Sequence, residues 1–216
     1  AWAFGLIGIQ EYLRRLSGDS QVNQTREQLT RRLMDLYRHH NHPDWRWFEA
    51  ELSYDNAKLA HALIVSGKGM GEPALLDTGL EALRWLVEMQ VSEQGHFRPI
   101  GSNGFYRKGS ERAHFDQQPI EAQATISACL AAYRATADLW WYEQAQRAFD
   151  SFIGWNDLRL HLYSAESGGC GDGLHVDRVN GNQGAESTLA FLLSLAEMRL
   201  AQNMLTSFKV PIANGV

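Results

Sequence analysis

Hydrophobic residues along this chain alternate between helices that are apolar on nearly every side and helices that keep a polar face. Residues 120–136 are Ala, Ser, Thr, Ile, Leu and Cys almost throughout, which is typical of a buried helix. Residues 57–64 and 188–193 are also apolar, whereas 73–90 and 139–154 have broader polar faces. The resulting order of buried and amphipathic helices predicts a series of packed helical hairpins.

Two more helices are expected at the start of the chain. The first covers residues 3–16 and ends at a Ser-Gly-Asp-Ser break, and the second covers 20–40 with apolar positions at helical spacing. About seven helices are therefore predicted in total. The segment after Leu200 is expected to be a frayed end or a contact with a partner.

A polar cluster stands immediately before, or in the first turn of, each of the three buried helices. The clusters are residues 51–56, 115–122 and 180–187, and each contains a carboxylate and at least one carboxamide. Because consecutive antiparallel helices make all inner helices point the same way, these clusters should meet at one concavity. The pattern predicts an all-α fold, namely a partial (α/α)6-type toroid built from helical hairpins.

Composition and charge agree with one domain over residues 1–216, since 216 residues with 44% hydrophobic and 21% charged can bury a sizeable core. The net charge of −5 gives no electrostatic reason to expect nucleic acid or an anionic membrane as partner. No apolar run approaches the length of a transmembrane span, and the apolar start lacks a basic signal-peptide region. We expect a cytoplasmic protein that could be the C-terminal part of a longer toroid.

Neither a metal nor a cofactor is predicted. The histidines at 39, 40 and 42 straddle a helix end without the spacing of a zinc-binding pair, and Cys129 and Cys170 are expected to be free buried thiols. The glycines at 168–173 follow no predicted strand and precede no Lys-Ser/Thr pair, so they are neither a dinucleotide nor a P-loop motif.

The aromatic stretch 44–56 has two interpretations. Trp45 and Trp47 could pack into the floor of the core, or they could form a shelf on which a sugar ring stacks beside Glu49 and Asn56. The sequence leaves these interpretations open.

Two long irregular segments, 91–118 and 156–183, are expected to border the concavity as binding loops. His96 and Tyr106 in the first could face the cleft, although a hydrogen-bonded structural role is equally consistent with the sequence. In the second, repeated glycine predicts a tight turn that holds Asp172 or His175 near the concavity.

Several motifs together resemble a known family. They are Trp-x-Trp-Phe-Glu at 45–49, Tyr-Asp-Asn-Ala at 54–57, Phe-x-Pro-Ile-Gly-Ser at 97–102, Phe-Asp-Gln-Gln-Pro-Ile-Glu-Ala at 115–122, Gly-Gly-Cys-x-Asp-Gly-Leu at 168–174 and Asn-Gln-Gly-Ala-Glu-Ser-Thr at 182–188. This series is similar to a bacterial α/α-toroid family that occurs alone and as the C-terminal region of some group 1 (GT-B type) glycosyltransferases. The resemblance covers residues 45–199, and more distantly it extends to six-hairpin glycosidases and N-acylglucosamine 2-epimerases.

The resemblance implies the toroid fold and a carbohydrate context rather than a particular reaction. The nucleotide-sugar-binding Rossmann domains of a glycosyltransferase are absent from residues 1–216, so this chain alone is not expected to transfer sugar from a nucleotide donor. Seven helices also fall short of a twelve-helix barrel.

The sharpest functional hypothesis is a hydrolase-like glycoside-processing site, which requires two carboxyl groups on either side of the scissile bond. Glu121 and Glu186 are candidates for the acid, since each lies in the first turn of an apolar helix, and Asp116 and Asp55 are candidates for the base. The expected sugar-binding amides are Asn56, Gln117, Gln118, Asn182 and Gln183. Alternatively, these side chains only cap helices and support loops.

Two other functions stay open at this point. One is a non-catalytic carbohydrate-binding or accessory domain of a glycosyltransferase, and the other is a sugar epimerase with a basic His or Tyr. The expected partner is an oligosaccharide or glycoside, with a homodimer or a linked glycosyltransferase domain as open possibilities.

Overall fold

The computed structural model describes residues 1–209, most of which lie in seven α-helices. The elements are α1 (Trp2–Leu13), α2 (Ser20–His40), β1 (Glu51–Leu52), α3 (Ala57–Met70), α4 (Pro73–Met89), β2 (Tyr106–Arg107), α5 (Pro119–Thr136), α6 (Leu139–Asp150) and α7 (Ala185–Lys209). The predicted helices are all present, with ends that differ from the sequence-based bounds by a few residues.

The helices form two layers. Helices α1, α3, α5 and α7 are successive neighbours in an inner layer, and α2, α4 and α6 pack outside them. Because the hairpins α3–α4 and α5–α6 have short connections, their helices run antiparallel, so α3, α5 and α7 present their N-terminal ends on the same side. The result is an arc of an α/α toroid.

Local sequence signals define where the helices begin and end. The side chain of Asp19 accepts a hydrogen bond from the Val22 N–H at the start of α2, and Asp138 does the same for Trp140 at the start of α6. Helices α4 and α5 begin with proline, whose missing N–H is not needed at the first helical position. A left-handed glycine, Gly71, ends α3.

Helix α5 is the centre of the arc and is buried along most of its length. Its small residues let α3, α6 and α7 approach closely, and one hydrophobic cluster runs through all these contacts. The largest fully buried side chains include Trp45, Trp47, Phe48 and Phe152. These large rings fill the space that the small α5 side chains leave.

Helix α7 differs from the prediction that it is buried all round. Ala190 and Phe191 face the core, but the apolar residues Leu189, Leu192, Leu193, Leu200 and Met204 are exposed. The reason is its place at the end of the arc, where α5 and α6 are the helices that mainly pack against its described residues. Its helical structure continues past Leu200 to Lys209, and residues 210–216 of the predicted tail lie outside the described residues.

The first long loop folds back on the segment that precedes α3. Strands β1 and β2 pair antiparallel, with Glu51 opposite Arg107 and Leu52 opposite Tyr106. Gly101 lies so close to the backbone of Phe115 that a Cβ atom there would be 2.0 Å from the Phe115 carbonyl oxygen. The loop is therefore packed tightly against the residues that lead into α5.

Candidate functional site

The three polar clusters meet at the N-terminal ends of α3, α5 and α7. The Tyr54 hydroxyl, just before α3, donates to Glu186 Oε2 of α7 at 2.8 Å. The backbone N–H of Asp55 donates to Glu121 Oε1 of α5. Residues 132 and 66 positions apart in sequence thus touch in one region, which brings together the candidate carboxylates Asp55, Glu121 and Glu186.

Glu121 is a buried carboxyl group that holds the turn before α3. Only 2% of the residue is exposed, and its two oxygens accept from the Asp55 N–H, the Asn56 N–H at 3.2 Å and the Asn56 Nδ2 at 3.0 Å. Burial raises the pKa of Glu121 to about 7, against the lowering effect of these hydrogen bonds. Both Glu121 oxygens are thus already bonded to the start of α3, a geometry that fits a support for this turn, and the acid role expected for Glu121 stays a prediction.

Asp55 is a second buried carboxyl group, in the turn that Glu121 holds. Its backbone is left-handed, with φ 52°, a conformation that Asp tolerates better than most residues. The side chain is 4% exposed, and no described residue forms a hydrogen bond with its Oδ1. Burial raises the pKa of Asp55 to about 6, Lys58 opposes this rise and Glu186 adds to it. The Asp55 carboxyl group therefore stays protonated up to a higher pH than an ordinary aspartic acid.

Glu186 and Tyr54 form the exposed side of the same region. Both residues are exposed, and the hydrogen bond to Glu186 is the main reason why the pKa of Tyr54 rises to about 12. The Tyr54 hydroxyl therefore stays a donor at neutral pH, and it orients the Glu186 carboxylate.

Asp116 and His175 form a second pair at the start of α5. Gln117 and Leu174 exchange backbone hydrogen bonds at 3.0 and 2.9 Å, which aligns the two loops. The Asp116 carboxylate consequently meets His175 Nδ1, and both side chains are partly exposed, at 39% and 26%. A hydrogen bond at Nδ1 leaves Nε2 as the ring nitrogen free to accept a proton.

Asp172, Asn182 and Gln183 shape the turn before α7. Asp172 accepts from the Gly184 N–H at 2.7 Å and from Asn182 Nδ2. Burial alone would raise the pKa of Asp172, but hydrogen bonds from Asn182, Gly184 and Ser187 lower it. Gln183 Oε1 accepts from the Ser167 hydroxyl at 2.7 Å. Since these groups are already bonded to one another, their geometry fits a support for the turn.

Five of the predicted sugar contacts are buried inside the protein, namely Trp45, Trp47, Asn56, His96 and Gln117. Trp45 and Trp47 are 2% and 0% exposed and pack against Trp85, so no ring face is open for stacking. His96 is 0% and Gln117 5% exposed. The aromatic shelf is therefore wrong, and the core interpretation of these tryptophans is right.

Of the predicted contacts, Asn56 lies in the region itself through its bonds to Glu121. Asn56 is 3% exposed and committed to Glu121 and to the Ser53 N–H. Tyr106 packs edge-on against Trp45. Gln118 is partly buried as the residue before α5. Glu49 lies at the surface. The pKa of its carboxyl group is raised, mainly by partial burial of that group, and the charge of His40 acts to lower it.

Asp157 is a buried carboxylate that joins the two long loops. It was not among the residues predicted from the sequence. Asp157 accepts from His96 Nε2 at 3.0 Å, from Arg98 Nε at 2.9 Å, and from Gln117 Nε2 at 2.5 Å. Burial alone would raise the pKa of Asp157, but the hydrogen bonds from these donors bring it below its usual value. Nothing in the composition of 156–183 distinguishes Asp157 from the other polar loop residues, so only the structure identifies it.

A surface cavity of about 270 Å³ lies away from these carboxylates, between α6 and the two loops. Trp155 contributes to its wall, but Arg159 already covers that ring at 3.9 Å from its centroid. Gln146 bonds Asp150 at 2.7 Å in the same wall. The helix starts form an open concavity rather than a closed pocket, because an arc does not enclose its axis.

Within residues 1–209, no group of three His, Cys, Asp or Glu side chains has the geometry of a metal site. No helix in the same range combines the length and apolar character needed to cross a bilayer.

Comparison with known proteins supports the architecture. No protein-family model and no curated protein matches the sequence. Among solved structures, the chain is similar to a GH76 alpha-mannanase of Bacteroides thetaiotaomicron, with a TM-score of 0.64 and 14% identity over 94% of this chain and 52% of that chain. The chain spans about half the length of that protein. At this identity the similarity concerns the fold alone, and it confirms the predicted α/α toroid.

Proposed function

We propose that this chain hydrolyses glycosidic bonds, with Asp55 as the general acid and Glu186 as its partner carboxylate. The observation that carries the proposal is the Asp55 carboxyl group, which is buried, has an unbonded Oδ1 and has a pKa raised to about 6. A general acid needs a proton near neutral pH, and burial provides it here.

The proposed reaction assigns one step to each group. The Asp55 carboxyl group gives its proton to the oxygen of the leaving sugar as the bond from that oxygen to the anomeric carbon breaks. Glu186, oriented by Tyr54, either takes a proton from the attacking water or attacks the anomeric carbon itself. Glu121 would act through Asp55, because it fixes the backbone from which Asp55 projects.

The proposed substrate class is an oligosaccharide, and α-mannan oligosaccharides are the first to test, since the similar solved structure is named an alpha-mannanase. The purified protein would be incubated with manno-, gluco- and galacto-oligosaccharides at pH 5.5, with products separated by chromatography. Asp55→Asn should abolish product formation, whereas the exposed Asp177→Asn should retain it. Equal activity of both variants would refute the assignment.

The second candidate is proton abstraction from an opened sugar, as in an epimerase, and the Asp116–His175 pair supports it. In that case His175→Ala should abolish solvent deuterium incorporation into the sugar, and Asp55→Asn should not. A carbohydrate-binding domain would instead give a thermal shift with oligosaccharide and no product from any sugar.

A further inference from the structure

A chain of polar side chains crosses the inner layer from α3 to α7, within about three helical turns of the carboxylates. Lys58 Nζ donates to Gln123 Oε1 at 3.1 Å, and Gln123 Nε2 donates to Ser127 Oγ at 2.8 Å. The Ser127 hydroxyl then donates to Glu197 Oε1 at 2.7 Å. Three helices therefore share one continuous hydrogen-bonded path.

Every bond in this path points in the same direction. The ammonium of Lys58 stands at the donor end and the carboxylate of Glu197 at the acceptor end, so the amide and the hydroxyl between them are both aligned by charge. Gln123 and Ser127 are 6% and 4% exposed. Bonds aligned in series in a low-dielectric interior strengthen one another. The path therefore holds the Lys58 ammonium in one position, although a lysine side chain is otherwise flexible.

Lys58 lies in the same turn as Asp55, since its backbone N–H donates to the Asp55 carbonyl oxygen at 3.2 Å. The charged and titratable groups that act on Asp55 are Tyr54 and Lys58 from its own segment, Glu121 from α5 and Glu186 from α7. Lys58 is the cation among them, and its charge opposes the rise that burial and Glu186 cause in the pKa of Asp55.

We propose that Lys58 is a positioning residue for Asp55 and that Gln123, Ser127 and Glu197 hold it in place. The inference rests on the proposed function in taking Asp55 as the acid. An acid whose pKa lies far above the working pH donates its proton poorly. A fixed cation near a buried carboxyl group limits the rise of its pKa and so lets the group donate its proton. Glu197, two helices away, consequently influences the site without touching it.

The experiment is a carboxyl ¹³C NMR titration of the aspartates, with the Asp55 resonance assigned by its absence in Asp55→Asn. Lys58→Met should raise the pKa of Asp55 by about one unit. Ser127→Ala breaks the path and should raise it in the same direction by a smaller amount. The matched control is Ser194→Ala, since Ser194 is equally buried on an inner helix but bonds only its own helix, at the Ala190 carbonyl.

The double variant Lys58→Met/Ser127→Ala should give no further rise beyond Lys58→Met, because the serine acts through the lysine. An unchanged Asp55 pKa in Lys58→Met would overturn the proposal, and so would equal values in Ser127→Ala and Ser194→Ala. Thermal melts establish that each variant is folded. The titration uses no substrate, so an absence of hydrolysis would refute the proposed function while leaving this result to stand or fall separately.

Discussion

The carboxylate of Glu121 accepts the backbone N–H of Asp55, and this contact joins the starts of two inner helices. It also distinguishes the two carboxyl groups, since Glu121 is enclosed by three donors and Asp55 keeps one oxygen unbonded. Glu121 thus supports the turn, whereas the Asp55 Oδ1 has no hydrogen-bond partner among the described residues.

Replacing Glu121 with alanine should lower the free energy of unfolding by about 2 to 4 kcal/mol, because three buried N–H groups lose their acceptor. Urea denaturation measures this change. The matched control is Glu186→Ala, which removes the same side chain from the first turn of an exposed helix start and should cost less than about 1 kcal/mol. Similar losses for both variants would contradict the support role.

Glu121 should also make stability depend on pH. Its pKa is about 7 in the folded protein against 4.5 for the free group, so the folded state binds the extra proton and its contribution is lost as pH rises through 7. Between pH 5 and pH 8, the unfolding free energy of wild type relative to Glu121→Gln should fall by about 2 to 3 kcal/mol.

The comparison with Glu121→Gln removes the contribution of His61, because both proteins contain it. Burial lowers the pKa of His61 to about 3, so its contribution to the unfolding free energy is lost as pH falls below 6.5. Thermal or urea unfolding of both proteins at the two pH values provides the measurement. A wild-type protein that changed in parallel with Glu121→Gln would show that Glu121 does not titrate in this range.

The helices and their layering could be predicted from the sequence because they depend on local patterns. The almost uncharged composition of α5 favours a buried position, and Pro119 marks its first turn. Convergence of the three helix starts followed from the same pattern, because antiparallel hairpins leave little choice of direction. These features need no knowledge of side-chain partners.

Burial of individual side chains could not be predicted in the same way. Trp45 can stack on a sugar or pack on Trp85, and only the position of α4 decides between them. Glu121 and Glu186 occupy similar places in similar helices, yet one is enclosed because α5 has neighbours on both sides and the other is exposed because α7 ends the arc. Asp157 finds its partners His96, Arg98 and Gln117 in the other long loop, about 40 to 61 positions away in sequence, and no local pattern encodes such contacts.

Substitution of Trp45 by alanine should cost about 3 to 5 kcal/mol of unfolding free energy, since it removes a buried indole that packs on Trp85 and Tyr106. Trp155→Ala is the comparison, because that ring is 47% exposed and should cost about 1 kcal/mol or less. Chemical denaturation of the two variants decides the matter: a small loss for Trp45→Ala would restore the shelf interpretation.

Asp157→Asn should loosen both long loops at once, because the amide cannot accept all the donors of His96, Arg98 and Gln117 and leaves the Arg98 charge without its partner. We expect a loss of about 2 to 4 kcal/mol at pH 7. The pKa of Asp157 is lowered in the folded protein, so its stabilisation is lost as pH falls through the folded value. The difference in unfolding free energy between wild type and variant should therefore narrow in acid.

Hydrogen exchange of the amides at 91–118 and 156–183 should increase in the variant and stay unchanged in the exposed Asp177→Asn. Faster exchange confined to one loop would show that Asp157 does not join the two.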